Sequence, residues 1–588
     1  MRAFFRTLFA TILGFFISIF LLFLVFFVII GVIISAADDE KSVEVSKNSV
    51  LFLNLDQEIG ERTTKNPLAN VPGLGGEGSK KLGFADVIRA LKKAKTDDNI
   101  RCVYVNVSAP NAGLATMREV RNAILDFRSS KKQVIAYSEI YTQGAYYLAS
   151  AADKVYLHPE GTLELKGFSS ELTFFKGALE KLGIEAQVIR VGNYKSAVEP
   201  FLYDKMSDYN RKQVTAYVNG LYQTFLGDIA TARKLQKDSL AQIANELLVQ
   251  TPADALRFKV VDALRYKDEV LNELKKLSGT AADETISSVT INDYAQNAAE
   301  KAETTDRVAV IYANGDITGG EGDDETIGSE RISRAIRKAR QDKKVKAVVI
   351  RVNSPGGSAL ASDVIWREVV LTRKSKPVIA SFGDVAASGG YYIGCAADSI
   401  IVQPNTITGS IGVFGIIPNF QRLMNEKLGV TFDGVKTGKY ADIMSTNRPM
   451  TPAERAIIQA ELNRIYKGFV KRVADGRKKT TAYIDSIGGG HVWVGTDAVR
   501  IGLADRLGSF QDAIAAAGKK AGLKSYRVVE YPEIISPLQS LLDNSTDKIR
   551  TAWIKEELGA QYPVYQQIRS ITSRSGILAK MPFEVMLK

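Results

Sequence analysis

The chain has 588 residues, 45% of them hydrophobic and 24% charged. That balance excludes a disordered or fibrous chain, and the length exceeds one ordinary core of about 100–200 residues. The net charge is +12, yet the basic runs Lys92-Lys-Ala-Lys95 and Arg477-Lys-Lys479 are short and neighboured by acids, so no nucleic-acid partner is expected.

Two cysteines, Cys102 and Cys395, cannot make a disulfide framework or a four-cysteine zinc site, and their apolar neighbours mark buried, inert thiols. No metal-ligating spacing occurs, and no cofactor or metal is expected. His158 and His491 are the two histidines, which leaves histidine-based catalysis little to draw on; both read as structural.

From Thr7 to Ala37 run 31 residues without a charge. A helix crosses a bilayer with about 20 apolar residues, whereas the apolar stretch of a cleaved signal peptide has about 7–15. Ile34-Ser-Ala-Ala37 offers small residues for a cut, but the length predicts an uncleaved anchor over residues 1–37. Arg2 and Arg6 precede the run, while Asp38, Asp39 and Glu40 follow it. Positive residues stay cytoplasmic, so the body is expected on the extracytoplasmic side of the membrane, held by a single span.

The body repeats itself. Gly144-Ala-Tyr-Tyr-Leu-Ala-Ser-Ala-Ala-Asp153 recurs as Gly389-Gly-Tyr-Tyr-Ile-Gly-Cys-Ala-Ala-Asp398. Ala253–Leu264 is matched by Thr496–Leu507, and the strand-like Val50–Leu55 by Val308–Ala313. The polar stretch 294–306 reads as a linker, and a Gly-rich loop near 66–83 inflates the first copy. Two domains are therefore expected, 41–300 and 301–588. Apolar β-branched runs alternate with amphipathic stretches, which predicts an α/β fold with a mainly parallel sheet in each copy. Functional groups then belong at the carboxyl ends of strands.

Two loops of the second copy lie at such ends. Asn353-Ser-Pro-Gly-Gly-Ser358 follows a strand, and paired glycines there can aim backbone N–H groups at an oxyanion, or simply make a tight turn. Asp384-Val-Ala-Ala-Ser388-Gly-Gly-Tyr again leads from strand to helix. A serine so placed is usually a helix cap, although flanking glycines also let a carbonyl approach its hydroxyl. Ala386 stands where the nucleophile elbow of Gly-x-Ser-x-Gly has its first glycine, so that motif is absent.

Ser-Pro-Gly-Gly-Ser, Ala-Ala-Ser-Gly-Gly-Tyr-Tyr, Thr408-Gly-Ser-Ile-Gly412 and Val435-Lys-Thr-Gly-Lys-Tyr-Ala-Asp-Ile-Met444, in this order, resemble the signal peptide peptidase A family. The resemblance covers essentially the whole chain in the long, duplicated form of that family. It implies two tandem Clp-protease/crotonase-like domains, a serine endopeptidase that cleaves hydrophobic remnant signal peptides, a homotetramer, Ser388 as nucleophile and a lysine as general base. Short members carry that lysine in a Gly-x-x-Lys-Asp-Ile motif, whereas here Gly438-Lys-Tyr-Ala-Asp-Ile443 has Ala441 at the position. The first copy has Gly192-Asn-Tyr-Lys195 instead. Conversely Ser388 corresponds to Gln143, Pro355-Gly-Gly357 to Pro110-Asn-Ala112, and Ser410 to Leu165. Each half has lost what the other keeps, which assigns the base to Lys195.

A serine hydroxyl needs a neighbouring base, and lysine, near 10.4 in water, must be desolvated to act as one. Gly357 and Gly389 would donate backbone N–H groups to the oxyanion, with Gly356 shaping the loop. The Ser410 hydroxyl would orient the amine, as the resemblance suggests. Lys439 is the runner-up base. Two other classes stay open: a crotonase-like acyl-thioester enzyme and a non-catalytic membrane scaffold. Whether Lys195 serves its own chain or a neighbour's is not fixed by the sequence.

Overall fold

Val345–Ser354 is buried along almost its whole length, and Val378–Ala387 likewise. Such strands are covered on both faces, as in parallel sheets flanked by helices. The computed structural model describes residues 2–38, 45–63, 81–296, 304–534, 554, 557–559 and 577–581. The expected domain boundary at 300/301, most of the Gly-rich loop, and residues 39–44 after the anchor lie outside them.

The first half forms a six-stranded parallel sheet in the order Ala263–Leu264, Lys154–Leu163, Val134–Tyr141, Ile100–Asn106, Ser49–Asn54, Ser288–Thr290. The second half repeats the order: Arg506–Leu507, Ser399–Val402, Val378–Ala387, Val345–Ser354, Arg307–Asn314, Arg527–Tyr531, again parallel. Ile407–Gly409 and antiparallel Val492–Val494 extend this sheet beside the carboxyl end of Val378–Ala387. The repeat read in the residues is thus a repeat of topology.

A third sheet differs from the sequence expectation, being mixed and drawn from both halves. Its order is Thr326–Gly328, Asp316–Thr318, Gly356–Ser358, Ile577–Lys580, Phe414–Asn419, Glu185–Arg190. Glu185–Arg190 of the first half pairs antiparallel with Phe414–Asn419 of the second over six residue pairs. The segments equivalent to these strands in the opposite halves, residues 431–436 and 169–174, form no strand.

Buried polar contacts bind the halves. Glu61 takes two hydrogen bonds from Arg351, at 2.8 and 3.1 Å, and the guanidinium lies over the Phe84 and Phe510 rings. Helix Leu114–Arg128 starts after Gly113, which has no side chain to cap it. Asp384 of the other half supplies the cap, its Oδ1 accepting from Ala115 N at 2.7 Å and Thr116 N at 3.0 Å. A carboxylate there also meets the positive helix end. A Cβ at Gly113 would lie 2.1 Å from the Asp384 Cγ, so the docking requires glycine.

Helix Arg2–Asp38 contains Phe4–Val25, 22 residues of mean hydropathy 2.8 with none of their surface covered by the body. By length and composition it can cross a membrane.

Candidate active site

Strand Val378–Ala387 ends directly on Ser388, and helix Gly389–Gly394 begins after it. The expected capping bond is absent: Ser388 has φ 55° and ψ −114°, and its side chain makes no bond to the helix N-terminus. A non-glycine residue held at positive φ is strained, and such strain gathers at functional sites. The conformation is fixed by Ser388 N donating to Gly409 O at 2.8 Å and Tyr392 N donating to Ser388 O at 2.9 Å.

Lys195 arrives from the other half, five residues beyond strand Glu185–Arg190. Its loop is clasped by residues 489–492. Tyr194 N donates to Gly489 O at 3.1 Å, while Gln213 Nε2 donates to Tyr194 O at 3.1 Å and its Oε1 accepts from Val492 N at 3.2 Å. Gly490, at φ 88°, lies so close that a Cβ there would be 2.5 Å from Lys195 N.

The amine is fully buried, 2.9 Å from Ser388 Oγ, 3.0 Å from Ser410 Oγ and 3.2 Å from Ser410 O. Burial alone drives its pKa well below the usual lysine value. Ser410, also at positive φ, is held by its N–H donating to His491 O at 2.7 Å.

The paired glycines abut the residue that follows Ser388: a Cβ at Gly356 would lie 2.7 Å from Gly389 N. Gly356 N is already engaged, donating to Ser354 Oγ at 3.1 Å. Gly357, at φ 156°, packs so tightly that a Cβ would lie 2.1 Å from Ile317 O.

A buried amine between two serine hydroxyls, beside a glycine-lined strand edge, can deprotonate a serine for acyl transfer. A model described as Peptidase family S49 matches residues 126–281 and again 371–524. The chain belongs to peptidase family S49. Like the family it is a serine endopeptidase, and its two matched regions are spaced as the internal repeat is. Protease 4 of Salmonella typhi is 37% identical over 535 residues, covering 88% of this chain and 86% of its own. Serine protease SPPA, chloroplastic, of Arabidopsis thaliana is 32% identical over 510 residues, covering 85% of this chain and 73% of its own. Putative signal peptide peptidase SppA of Enterococcus faecium is 31% identical over 288 residues, which is 48% of this chain and 79% of its own. A solved ClpP1 from Listeria monocytogenes is 16% identical with a TM-score of 0.24, covering 35% of this chain and 94% of its own.

The side chains of the other candidates in this S49 chain make their contacts elsewhere. Lys439 is exposed, its amine over the Tyr440 ring at 5.2 Å. The His158 ring packs edge-on against Tyr266 and its Nδ1 accepts from Glu160 N at 3.1 Å. The His491 ring lies between Tyr194 and Trp493, and burial lowers its pKa. Cys102 and Cys395 are free and buried, and burial pushes each thiol up to about 12. Sequence reasoning missed Gln213, Gly490, Asp384 and strand Ile577–Lys580. The Gly488-Gly-Gly490 run was a signal for a close backbone approach; the others gave none.

Proposed function

We propose that this serine endopeptidase uses a Ser388/Lys195 dyad on hydrophobic peptides, above all signal peptides left after preprotein processing. The observation that carries the reading is the Lys195 amine, stripped of water and held 2.9 Å from Ser388 Oγ. A neutral amine has two N–H groups and one lone pair. Ser410 Oγ and O can accept both N–H groups, which leaves the lone pair for the Ser388 hydroxyl.

During attack Ser388 Oγ bonds to the substrate carbonyl carbon and its proton passes to Lys195 Nζ. The N–H groups of Gly357 and Gly389 receive the oxyanion, with Gly356 holding the turn. Collapse breaks the C–N bond as Lys195 returns the proton to the leaving amine. Water then repeats the sequence on the acyl-enzyme, with Lys195 as base again. In this reading residues 41–300 form the domain that supplies the base, and 301–588 the domain that supplies nucleophile and oxyanion donors.

The Enterococcus relative's description and an apolar helix preceding the body support a signal-peptide substrate delivered at the membrane. Arg2 and Arg6 before that helix favour a body on the extracytoplasmic side of the inner membrane. A tetramer is supported by the strandless segments 431–436 and 169–174. Pairing them between chains repeats the contact that Glu185–Arg190 makes with Phe414–Asn419, and a heterologous contact of that kind closes into a ring. Val435 in the first segment is fully exposed.

Single-turnover hydrolysis of a Leu/Phe-rich peptide ester tests the dyad. Wild type is expected to form an acyl-enzyme on Ser388, while Ser388→Ala and Lys195→Ala form none. Undiminished turnover by Lys195→Ala would remove that lysine from the mechanism.

A further inference from the structure

Helix Asp208–Arg233 of the first half packs its Val214, Tyr217 and Leu221 against Val492 and Val494 of the second. Gln213 lies fully buried on this helix, and its amide joins the two loops that meet at the lysine. Nε2 donates at 3.1 Å to the carbonyl of Tyr194, the residue before Lys195, and Oε1 accepts from Val492 N at 3.2 Å. Beside Val492 stands His491, whose carbonyl accepts from Ser410 N at 2.7 Å. One side chain thus bridges the backbone that carries the amine and the backbone that sets the Ser410 hydroxyl 3.0 Å from it.

The bridge is itself held. Gln213 Nε2 also reaches Asn210 Oδ1 at 3.2 Å, and Asn210 Nδ2 donates to Glu199 Oε2 at 2.9 Å. Glu199 accepts as well from Ser207 N at 3.1 Å and Ser207 Oγ at 2.6 Å, which fastens the capping residue of the same helix. Glu199, Asn210 and Gln213 are all fully buried, so a bond lost here leaves a polar group with no water to replace it. The second copy separates this role from helix building. Helix Pro452–Arg477 has the same 26 residues and the same kind of cap, Thr451 for Ser207. Counted from the caps, Asn210 corresponds to Glu454 and Gln213 to Ile457, which is 44% exposed. The copy with Ala441 in place of the lysine therefore builds the helix without the amide.

We propose that Gln213 is a positioning residue for the base: through the Tyr194 and Val492 backbones it fixes the Lys195 amine between Ser388 and Ser410, an inference that rests on the dyad proposed above. Without the amide, nothing in this bridge keeps the lysine loop in register with the loop that holds Ser410. A misplacement of about 1 Å can cost about a hundredfold in rate. The loss falls on the acylation step, where Nζ must meet the Ser388 hydroxyl.

The test follows single-turnover acylation of the full-length protein in detergent by a Leu/Phe-rich peptide ester. Gln213→Met fills the same space without the bonds. It is expected to acylate at least about tenfold more slowly at saturating ester, with half-saturation within about twofold of wild type. Gln213→Glu keeps the acceptor for Val492 N and brings a carboxylate that favours the Lys195 ammonium, so the acidic limb of its acylation profile should rise by about one pH unit. The other titratable groups at this place, His491 against the Tyr194 ring and Glu199 beyond Asn210, are the same in both variants. Wild-type acylation by Gln213→Met, a loss confined to half-saturation, or an unmoved limb in Gln213→Glu would overturn the inference, while an inert Lys195→Ala leaves the dyad standing. If Gln213→Met does not fold, the limb of Gln213→Glu decides alone. Undiminished acylation by Lys195→Ala would sink the dyad and the inference together.

Discussion

Ser410→Ala isolates how the amine is tuned. Ser410 and alanine meet the same backbone demand at φ 48°, so the change removes little beyond the hydroxyl that lies 3.0 Å from Lys195 Nζ. That oxygen accepts from the amine in both protonation states, but a hydrogen bond to a charged donor is worth about 1.5–3 kcal/mol against about 0.5–1.5 for a neutral one. Its loss therefore disfavours the ammonium by about 1 kcal/mol more than the neutral amine. At about 1.4 kcal/mol per pH unit, the Lys195 pKa falls by somewhat under one unit. The acidic limb of kcat/KM should move to lower pH by that amount. The plateau should fall at least about tenfold, because one of the two acceptors that aim the lone pair is gone. Stopped-flow acylation across pH 5–10 reads both quantities. A limb that moves upward, or a plateau that does not fall, would refute this placement of the hydroxyl.

Other variants probe the supports of the same site. Lys195→Met should stabilise the fold at neutral pH: the unfolded lysine holds its proton up to about 10.4, while the buried one loses it at lower pH. Between those two values wild type gains about 1.4 kcal/mol per pH unit, so the variant's advantage in denaturant midpoint shrinks as pH rises and is gone above about 10.4. Gly490→Ala should lower kcat about a hundredfold in peptide assays, since its Cβ would push on the Lys195 backbone from 2.5 Å. Arg351→Met leaves Glu61 buried without its partner and should cost about 3–5 kcal/mol in denaturation. Pairing it with Glu61→Met should recover most of that loss.

The α/β halves were legible because periodicity is local: Val345–Ser354 and Val378–Ala387 announce themselves as buried runs. The pairing of Lys195 with Ser388, whose Nζ and Oγ lie 2.9 Å apart, was legible because duplication left each residue opposite a vacancy in the other copy, Lys195 against Ala441 and Ser388 against Gln143. The third sheet was not legible. Glu185–Arg190 and residues 431–436 both follow a Lys-Leu-Gly run, at 181–183 and 427–429, yet only the first finds a partner strand; the second carries Asp433 and Gly434, and strand pairing also depends on tertiary placement. Asp384 was equally silent, because the helix N–H it caps lies 269 residues earlier in the chain. Ile577–Lys580 is too short to show a period, and its meaning comes from the edges it joins.

Central to the account is a Lys195 amine that serves Ser388 of its own chain. Co-expressing full-length Ser388→Ala with full-length Lys195→Ala, then measuring peptide-ester hydrolysis by the mixed assemblies, tests it most directly. The account predicts no activity, since no chain in the mixture holds both groups. Activity approaching a quarter or more of wild type would contradict it and place the amine beside a neighbour's serine.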